Sequence, residues 1–321
     1  MTTNNNDMFA DAARDVLADQ CTPQVVRAIE EGGRTAEATT ALWEQLEATG
    51  LADALLSEDA GGAGLGLGQV FGVLEQCGAH ALPLPLGETM VARALLAQAG
   101  VARPAGSIAL ARGEHLANGG VRCALVRTGQ VAQSVLVQAG DEWRLLGTEG
   151  AQASPQALAL DAALAWSATQ VQAAPVVAVD AALEVRTLQA AVVAAQMAGA
   201  LKAVFDRTLQ YANERQQFGR PIGKFQAIQH QLAVMSEHVF AARMAAQLGC
   251  SAPWPWPRAG GRAPRPYRHV QRCSPAARPC ARQTRARSSL PAGAGWPGTC
   301  RWGGQTAGAH WRTAGCAETR C

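Results

Sequence analysis

At residue 250 this 321-residue chain changes from a sequence that can build a hydrophobic core into one that cannot. Residues 251–321 contain only two aliphatic side chains larger than alanine, Val270 and Leu290, and no Ile, Met, Phe, Lys or Asp. They hold nine of the 16 prolines, five of the eight tryptophans and five of the nine cysteines. Ordering a residue costs about 1–2 kcal/mol of backbone entropy, and so little branched apolar surface cannot offset that cost. Arg, Pro, Ala, Gly, Cys and Trp without Lys or Ile is the composition that a shifted frame of a GC-rich gene produces. Residues 250–321 therefore read as an aberrant, disordered tail made by a frameshift. The alternative is a genuine basic tail, a class usually rich in Lys and poor in Trp and Cys.

The break also dissolves the apparent basicity. Residues 251–321 carry 12 Arg and one acid, Glu318, whereas residues 1–250 carry 24 acidic and 16 basic side chains, a net of −8. The overall +3 is thus no sign of a nucleic-acid partner for the main body, and none is expected. Cys21, Cys77, Cys123 and Cys250 show no metal-like pairing, which reads as a reducing, cytoplasmic setting with no metal site. The start, MTTNNNDMFADAARD, lacks a basic stretch followed by an apolar one, so no signal peptide is expected. The run AAVVAAQMAGAL (residues 190–201) contains Gln196 and is too short to span a bilayer; a buried helix and no membrane association are expected.

Periodicity divides the main body into three parts. Residues 1–104 read as an all-α domain: Leu42, Leu46 and Leu51 recur near helical spacing beside Trp43, and Gly50 stops that helix. SEDAGGAGLGLG (residues 57–68) is a loop, QVFGVLEQCGAH (69–80) returns to helix, Pro83 and Pro85 interrupt, and ETMVARALLAQAG (88–100) is helical again. Residues 105–178 change to short, partly alternating runs, SIALAR, VRCALVR, QSVLVQ and EWRLLG, which predict a small antiparallel β domain, a barrel or a sandwich. Residues 179–249 predict part of a helical bundle. Asp180 is the expected N-cap of an Ala-rich helix running to about Gln210, and Gly219, Pro221 and Gly223 make a turn. A second helix over 224–248 is expected to bury Phe225, Ile228, Leu232, Met235, Val239 and Ala242.

The densest chemistry lies at that turn, in YANERQQFGRPIGKFQAIQH (residues 211–230). Arg215 stands at a helix end before a Gly–Pro turn, where a guanidinium can grip a pyrophosphate through paired donors. Phe218 offers an aromatic face beside it, and Gln226 offers amide donors and an acceptor. An Arg paired to an acid and a Phe in the core is the plain structural alternative.

The segment ERQQFGRPIGKFQAIQHQLA resembles the signature of the flavin-dependent acyl-CoA dehydrogenases. LWEQLEATGL and SEDAGGAGLGLGQVFGVLEQCG resemble that family's amino-terminal helical domain and Gly-rich loop, and the resemblance covers about residues 8–249. It implies an α+β fold: an N-terminal helical domain, a small antiparallel β middle domain and, here, an incomplete C-terminal bundle followed by the tail. It implies FAD as cofactor, with Arg215, Gln217, Phe218 and Gln226 contacting the FAD of a neighbouring subunit in a homo- or hetero-oligomer. It implies oxidation of an acyl-CoA thioester to a 2,3-enoyl-CoA, with an electron-transfer flavoprotein as acceptor.

The family needs a carboxylate base of raised pKa set against the substrate α-carbon. Most relatives place that Glu beyond the point where the resemblance stops, and Glu318 lacks the family's flanking residues. Some relatives place it on the helix before the motif, where counting back gives Gln189 followed by Ala190, neither of which is a base. The family's Thr-Glu-Pro…Gly-Ser stretch is not recognisable in residues 105–178. No catalytic residue is therefore assigned, and the chain as written is expected to be inactive. The alternative is a non-catalytic partner subunit of a heteromeric dehydrogenase.

The remaining motifs read plainly. Gly61, Gly62, Gly64, Gly66 and Gly68 fit neither G-x-G-x-x-G nor a P-loop. By the resemblance they border the substrate mouth, and an ordinary interhelical loop is equally open. His230 and His238 lack the partners of a metal site. Glu214 is expected to form an ion pair at the helix end, and Cys77 to be a small core residue.

Overall fold

In a computed structural model of the protein, residues 3–251 are described, with side chains from Met8. Residues 252–321, including Glu318 and the expected frameshift tail, lie outside the described residues.

Five helices come first: α1 (Thr3–Gln20), α2 (Pro23–Gly32), α3 (Glu37–Ala48), α4 (Phe71–Ala79) and α5 (Leu86–Gln98). Their ends follow local chemistry. Pro23 supplies a preset φ at the first position of α2, and the Thr22 hydroxyl accepts from the Val25 N–H at 3.4 Å. Gly50 takes φ 73° after α3, and Leu42, Trp43, Leu46 and Leu51 are buried as their spacing predicts. Arg93 of α5 is buried and reaches the carboxylates of Glu47 and Asp53 and the Gly106 carbonyl, tying α5 to α3 and to the following chain.

The β runs form one six-stranded sheet in the order β4-β3-β1-β2-β6-β5. The strands are β1 (Ile108–His115), β2 (Val121–Val126), β3 (Ser134–Ala139), β4 (Glu142–Gly147), β5 (Gln152–Pro155) and β6 (Ala162–Trp166). Pairing is antiparallel except between β1 and β3, which run parallel over Ile108–Gly113. The β2 hairpin, inserted between them in the chain, is what lets β1 and β3 enter side by side. β1 pairs with β2 only at Glu114 and His115, so among the described residues the other edge of Ile108–Gly113 has no strand paired to it. A short helix α6 (Ala168–Ala173) begins with a capping box made by Ser167 and Gln170.

Two long helices close the described chain, α7 (Val185–Glu214) and α8 (Gln226–Ser251). Asp180 does not cap α7. Its carboxylate accepts from the Ala182 N–H at 2.9 Å in a local turn, and the helix begins five residues later after Glu184. The early cap competes with this Asp-centred turn, and the turn wins because it lets Leu183 reach the core. By length and composition α7 qualifies to cross a bilayer. In this fold its apolar first half packs against α4, α5 and β1.

α4 and α7 cross at glycines. A Cβ on Gly78 would lie 1.7 Å from the Gln196 carbonyl oxygen, and one on Gly199 1.8 Å from that of Glu75. At the same crossing Glu75 receives Arg243 of α8 through Nε–Oε1 at 2.6 Å and Nη2–Oε2 at 3.2 Å. The face of α8 expected to be buried is the less exposed one, but its residues are only half-buried. Ala246 and Cys250 alone in α8 are fully buried. A bundle helix normally meets two neighbours, and among the described residues α7 alone flanks most of α8.

Cys21, Cys77, Cys123 and Cys250 are buried free thiols. Burial pushes Cys77 and Cys123 up to about 12 and Cys21 and Cys250 up to about 11. Thiolate is thus scarce at neutral pH. Iodoacetamide treatment followed by peptide mapping is expected to leave Cys77 and Cys123 unmodified in native protein and to label them fully in urea. Fast native labelling of Cys77 would contradict the packing of α4.

Candidate functional site

The segment between α7 and α8 is a built hairpin. The Arg215 N–H still bonds the Tyr211 carbonyl at 2.9 Å, but Arg215 leaves the helix with φ −69° and ψ 119°. Strands β7 (Gln216–Gln217) and β8 (Arg220–Pro221) then pair, with Gln217 opposite Arg220. Phe218 and Gly219 between them have φ 52° and 76°, the two-residue turn whose twist suits a hairpin. The Ile222 N–H returns to the Arg215 carbonyl at 2.8 Å and closes the loop.

Glycine takes positive φ freely, whereas for phenylalanine it costs about 1–2 kcal/mol. The large ring at the tip is nonetheless 92% exposed. Among the described residues its aromatic neighbour is Phe225, edge-on at 6.2 Å, and Arg220 stacks over the Phe225 ring at 4.3 Å. Arg215, Gln217 and Gln226 are exposed on the same short segment, and among the described residues no carboxylate lies within ion-pair distance of Arg215. Glu214 accepts from Gln210 at 2.7 Å rather than forming the expected ion pair. A turn that holds an aromatic ring and guanidinium and amide donors in solvent spends local free energy on a surface that does nothing for this chain's own core. That donor set matches an aromatic ligand bearing a pyrophosphate. Arg220 belongs to this set and was not singled out by its sequence position.

A second cluster sits where the helices meet the sheet. The Glu88 carboxylate is buried and accepts from the Leu110 N–H at 2.7 Å, while Gln189 Nε2 donates to the Leu110 carbonyl at 2.7 Å. Two residues earlier on β1, the Ile108 N–H donates to the Thr89 hydroxyl at 2.9 Å. Side chains of α5 and α7 thus satisfy the strand edge that has no strand partner. Arg127 stands 3.9 Å from Glu88. Desolvation pushes Glu88 up to about 7, against the Leu110 N–H and Arg127. A carboxylate at such a value is a common signature of a base. Here Oε2 is committed to β1 and Oε1 faces Arg127, and Gln189, at the position where some relatives would carry a base, is committed to the same strand.

The Gly-rich loop packs on its own chain. A Cβ on Gly62 would lie within 2.5 Å of Leu56 and Asp53 atoms, and Gly68 abuts Cys250 and Ser251 at the end of α8. His230 and His238 are exposed on α8, and no group of three or more metal-type side chains occurs among the described residues.

Residues 3–103 match the acyl-CoA dehydrogenase N-terminal domain, and residues 179–250 match the acyl-CoA dehydrogenase C-terminal domain. The chain is 30% identical over 256 residues to acyl-CoA dehydrogenase IpdE2 of Mycobacterium tuberculosis, covering 77% of this chain and 76% of that protein. It is 31% identical over 223 residues to acyl-CoA dehydrogenase FadE34 of the same organism, covering 64% of this chain but only 30% of FadE34. Among solved structures, the ChsE4-ChsE5 complex from Mycobacterium tuberculosis shares the fold with a TM-score of 0.65 at 23% identity, over 77% of each chain. A match at both helical ends, joined to a relative aligned over three quarters of each sequence, shows that this chain belongs to the acyl-CoA dehydrogenase family.

Proposed function

We propose that the chain supplies the flavin-contact part of an acyl-CoA dehydrogenase site without supplying its base. FAD is the family's cofactor. The observation that carries the reading is the exposed hairpin, with Phe218 held outward at positive φ beside Arg215. Arg215 would grip the pyrophosphate, Phe218 and Gln217 would lie along the cofactor, and Gln226 would supply amide donors from the first turn of α8. Because this hairpin turns away from its own core, the FAD it meets belongs to a neighbouring subunit.

In an intact relative, a carboxylate takes the α-proton of the acyl-CoA and the product is the 2,3-enoyl-CoA. FAD, when bound, supplies the two-electron acceptor for the β-hydride, and an electron-transfer flavoprotein reoxidises it. In this chain Gln189 is an amide bonded to β1, and Glu88 is buried with its carboxylate on the β1 backbone. We read the chain as a family oxidoreductase whose catalytic carboxylate was lost with a frameshift in its last third. A non-catalytic subunit that completes a partner's flavin site is the second reading, favoured by its likeness in fold to the ChsE4-ChsE5 complex, an assembly of two differently named chains.

Purified chain is expected to show no acyl-CoA-dependent reduction of a flavoprotein acceptor. When the chain is co-purified with a family partner, bound FAD should be detected by its visible absorbance. Arg215→Ala should weaken FAD retention roughly tenfold or more, the 1.5–3 kcal/mol of a charge-assisted contact. Turnover by the chain alone would refute the missing-base assignment, and unchanged FAD retention in Arg215→Ala and Phe218→Ala would refute the hairpin's role.

A further inference from the structure

The hairpin between α7 and α8 holds a phenylalanine where the backbone favours glycine, and its own ladder does little to secure it. Phe218 has φ 52°, and its ring is 92% exposed. β7 and β8 are two residues each, and so short a two-stranded ribbon is marginal in water. What fixes the tip comes from outside the ladder.

Phe225 is the anchored residue beside it. Its N–H bonds the Ile222 carbonyl at 3.0 Å, and its carbonyl accepts from the Ile228 and Gln229 N–H groups, each at 3.0 Å, at the start of α8. The segment just before it lies tight on the end of α7, where a Cβ on Gly223 would meet the Ala212 carbonyl oxygen at 3.0 Å and Asn213 Oδ1 at 3.1 Å. The Phe225 ring is thus carried by backbone tied to both long helices. The Phe218 ring meets it edge-on, and Arg220, on the returning strand, covers it with its guanidinium carbon 4.3 Å from the ring centre. One platform therefore touches both the tip and the strand that follows. Among the described residues no carboxylate lies within ion-pair distance of Arg220. A planar guanidinium without an acid partner is well suited to covering an aromatic face.

We propose that Arg220 is a positioning residue that acts through Phe225. By covering that ring it fixes the platform against which Phe218 rests, and so holds the hairpin in the conformation that meets FAD. The inference rests on the flavin reading of the hairpin and adds to it a role that needs no contact between Arg220 and the cofactor. An exposed cation–π contact biases a conformational equilibrium about two- to fivefold. The apparent affinity for a ligand scales with the population of the competent conformation, so retention of FAD carries the same factor.

The full chain labelled with fluorophenylalanine carries a fluorine at each of its six phenylalanines, and Phe218→Leu identifies the signal of residue 218. Without FAD, Arg220→Ala should move that signal toward its value in urea with the helical circular dichroism unchanged. In the chain co-purified with a family partner, Arg220→Ala and Phe225→Leu should each weaken FAD retention about two- to fivefold. Arg220→Ala added to Phe225→Leu should weaken it no further, because the ring through which Arg220 acts is already gone. A residue-218 signal unmoved by Arg220→Ala overturns the proposal, and so does a moved signal with unchanged FAD retention. A full additional loss in the double variant also overturns it, since Arg220 would then touch the ligand directly. If the parent chain retains no FAD in that complex, the flavin reading fails and the positioning role with it, while the fluorine signal separately shows whether Arg220 braces the tip.

Discussion

Gly199→Ala is expected to lower the unfolding free energy by about 2–3 kcal/mol, and Gly199→Val to prevent folding. Alanine is the better helix former by roughly 1 kcal/mol, so intrinsic propensity pushes the other way. The loss comes from the crossing, where an added Cβ would stand 1.8 Å from the Glu75 carbonyl oxygen. Backbone oxygen in the middle of a helix cannot swing aside, so α4 and α7 must move apart by more than an ångström. Such a shift forfeits the dispersion contacts along the whole crossing. Gly78→Ala should cost a similar amount, since its Cβ would meet the Gln196 carbonyl at 1.7 Å. The double variant should cost clearly less than the sum, because helices separated by the first methyl already have room for the second. Urea unfolding followed by circular dichroism measures all three. A Gly199→Ala midpoint equal to that of the parent would show that α4 and α7 do not cross at these residues.

The second large effect concerns pH. Glu88 ionises near 7 in the fold, against an ordinary value of 4.5, because burial disfavours its charge. The folded chain therefore binds a proton more readily than the unfolded chain. Its stabilising contribution is full below about pH 4.5 and is lost as pH rises through 7. A shift of this size corresponds to about 3 kcal/mol between those limits. Urea midpoints taken from pH 5 to pH 8 should fall as pH rises. Glu88→Gln, which keeps an acceptor for the Leu110 N–H and cannot ionise, should flatten that slope and be the more stable form at pH 8. Glu88→Ala should lose stability at every pH, since it orphans a buried N–H and opens a void. An unchanged slope in Glu88→Gln would place the titrating group elsewhere.

Much of this architecture can be read from residue order alone. Apolar spacing locates α3, α4 and α5, and the Gly–Pro cluster locates the hairpin, because these signals are local and short. The start of α7 is misplaced for an equally local reason: Asp180 has the side chain of an N-cap, and only tertiary burial of Leu183 decides that it closes a turn instead. The parallel β1–β3 pair is invisible in the sequence, since strand direction depends on how the β2 hairpin folds back. The half-buried state of α8 is also hidden, because periodicity reports which face is apolar and not how many neighbours cover it. In the candidate site, Arg215, Gln217, Phe218 and Gln226 stand out as a motif, whereas the stacking of Arg220 on Phe225 needs coordinates. Glu88 escapes notice as a lone acid in a helix. Its one sequence clue is that the surrounding LPLGETMVARALLA is apolar on every side, leaving no solvent face for a carboxylate.

The glycine crossing also sets a timetable for biosynthesis. Gly78 and Gly199 are 121 positions apart in the chain. At about 5–20 residues per second, a ribosome needs roughly 6–24 s to reach the second after making the first. Throughout that interval α4 has been made without the helix it is shaped to receive, and its apolar side stays uncovered. The first hundred residues cannot complete their fold as a free-standing unit during translation. Their survival depends on how quickly the β region and α7 emerge, and in a cell on what shields α4 meanwhile.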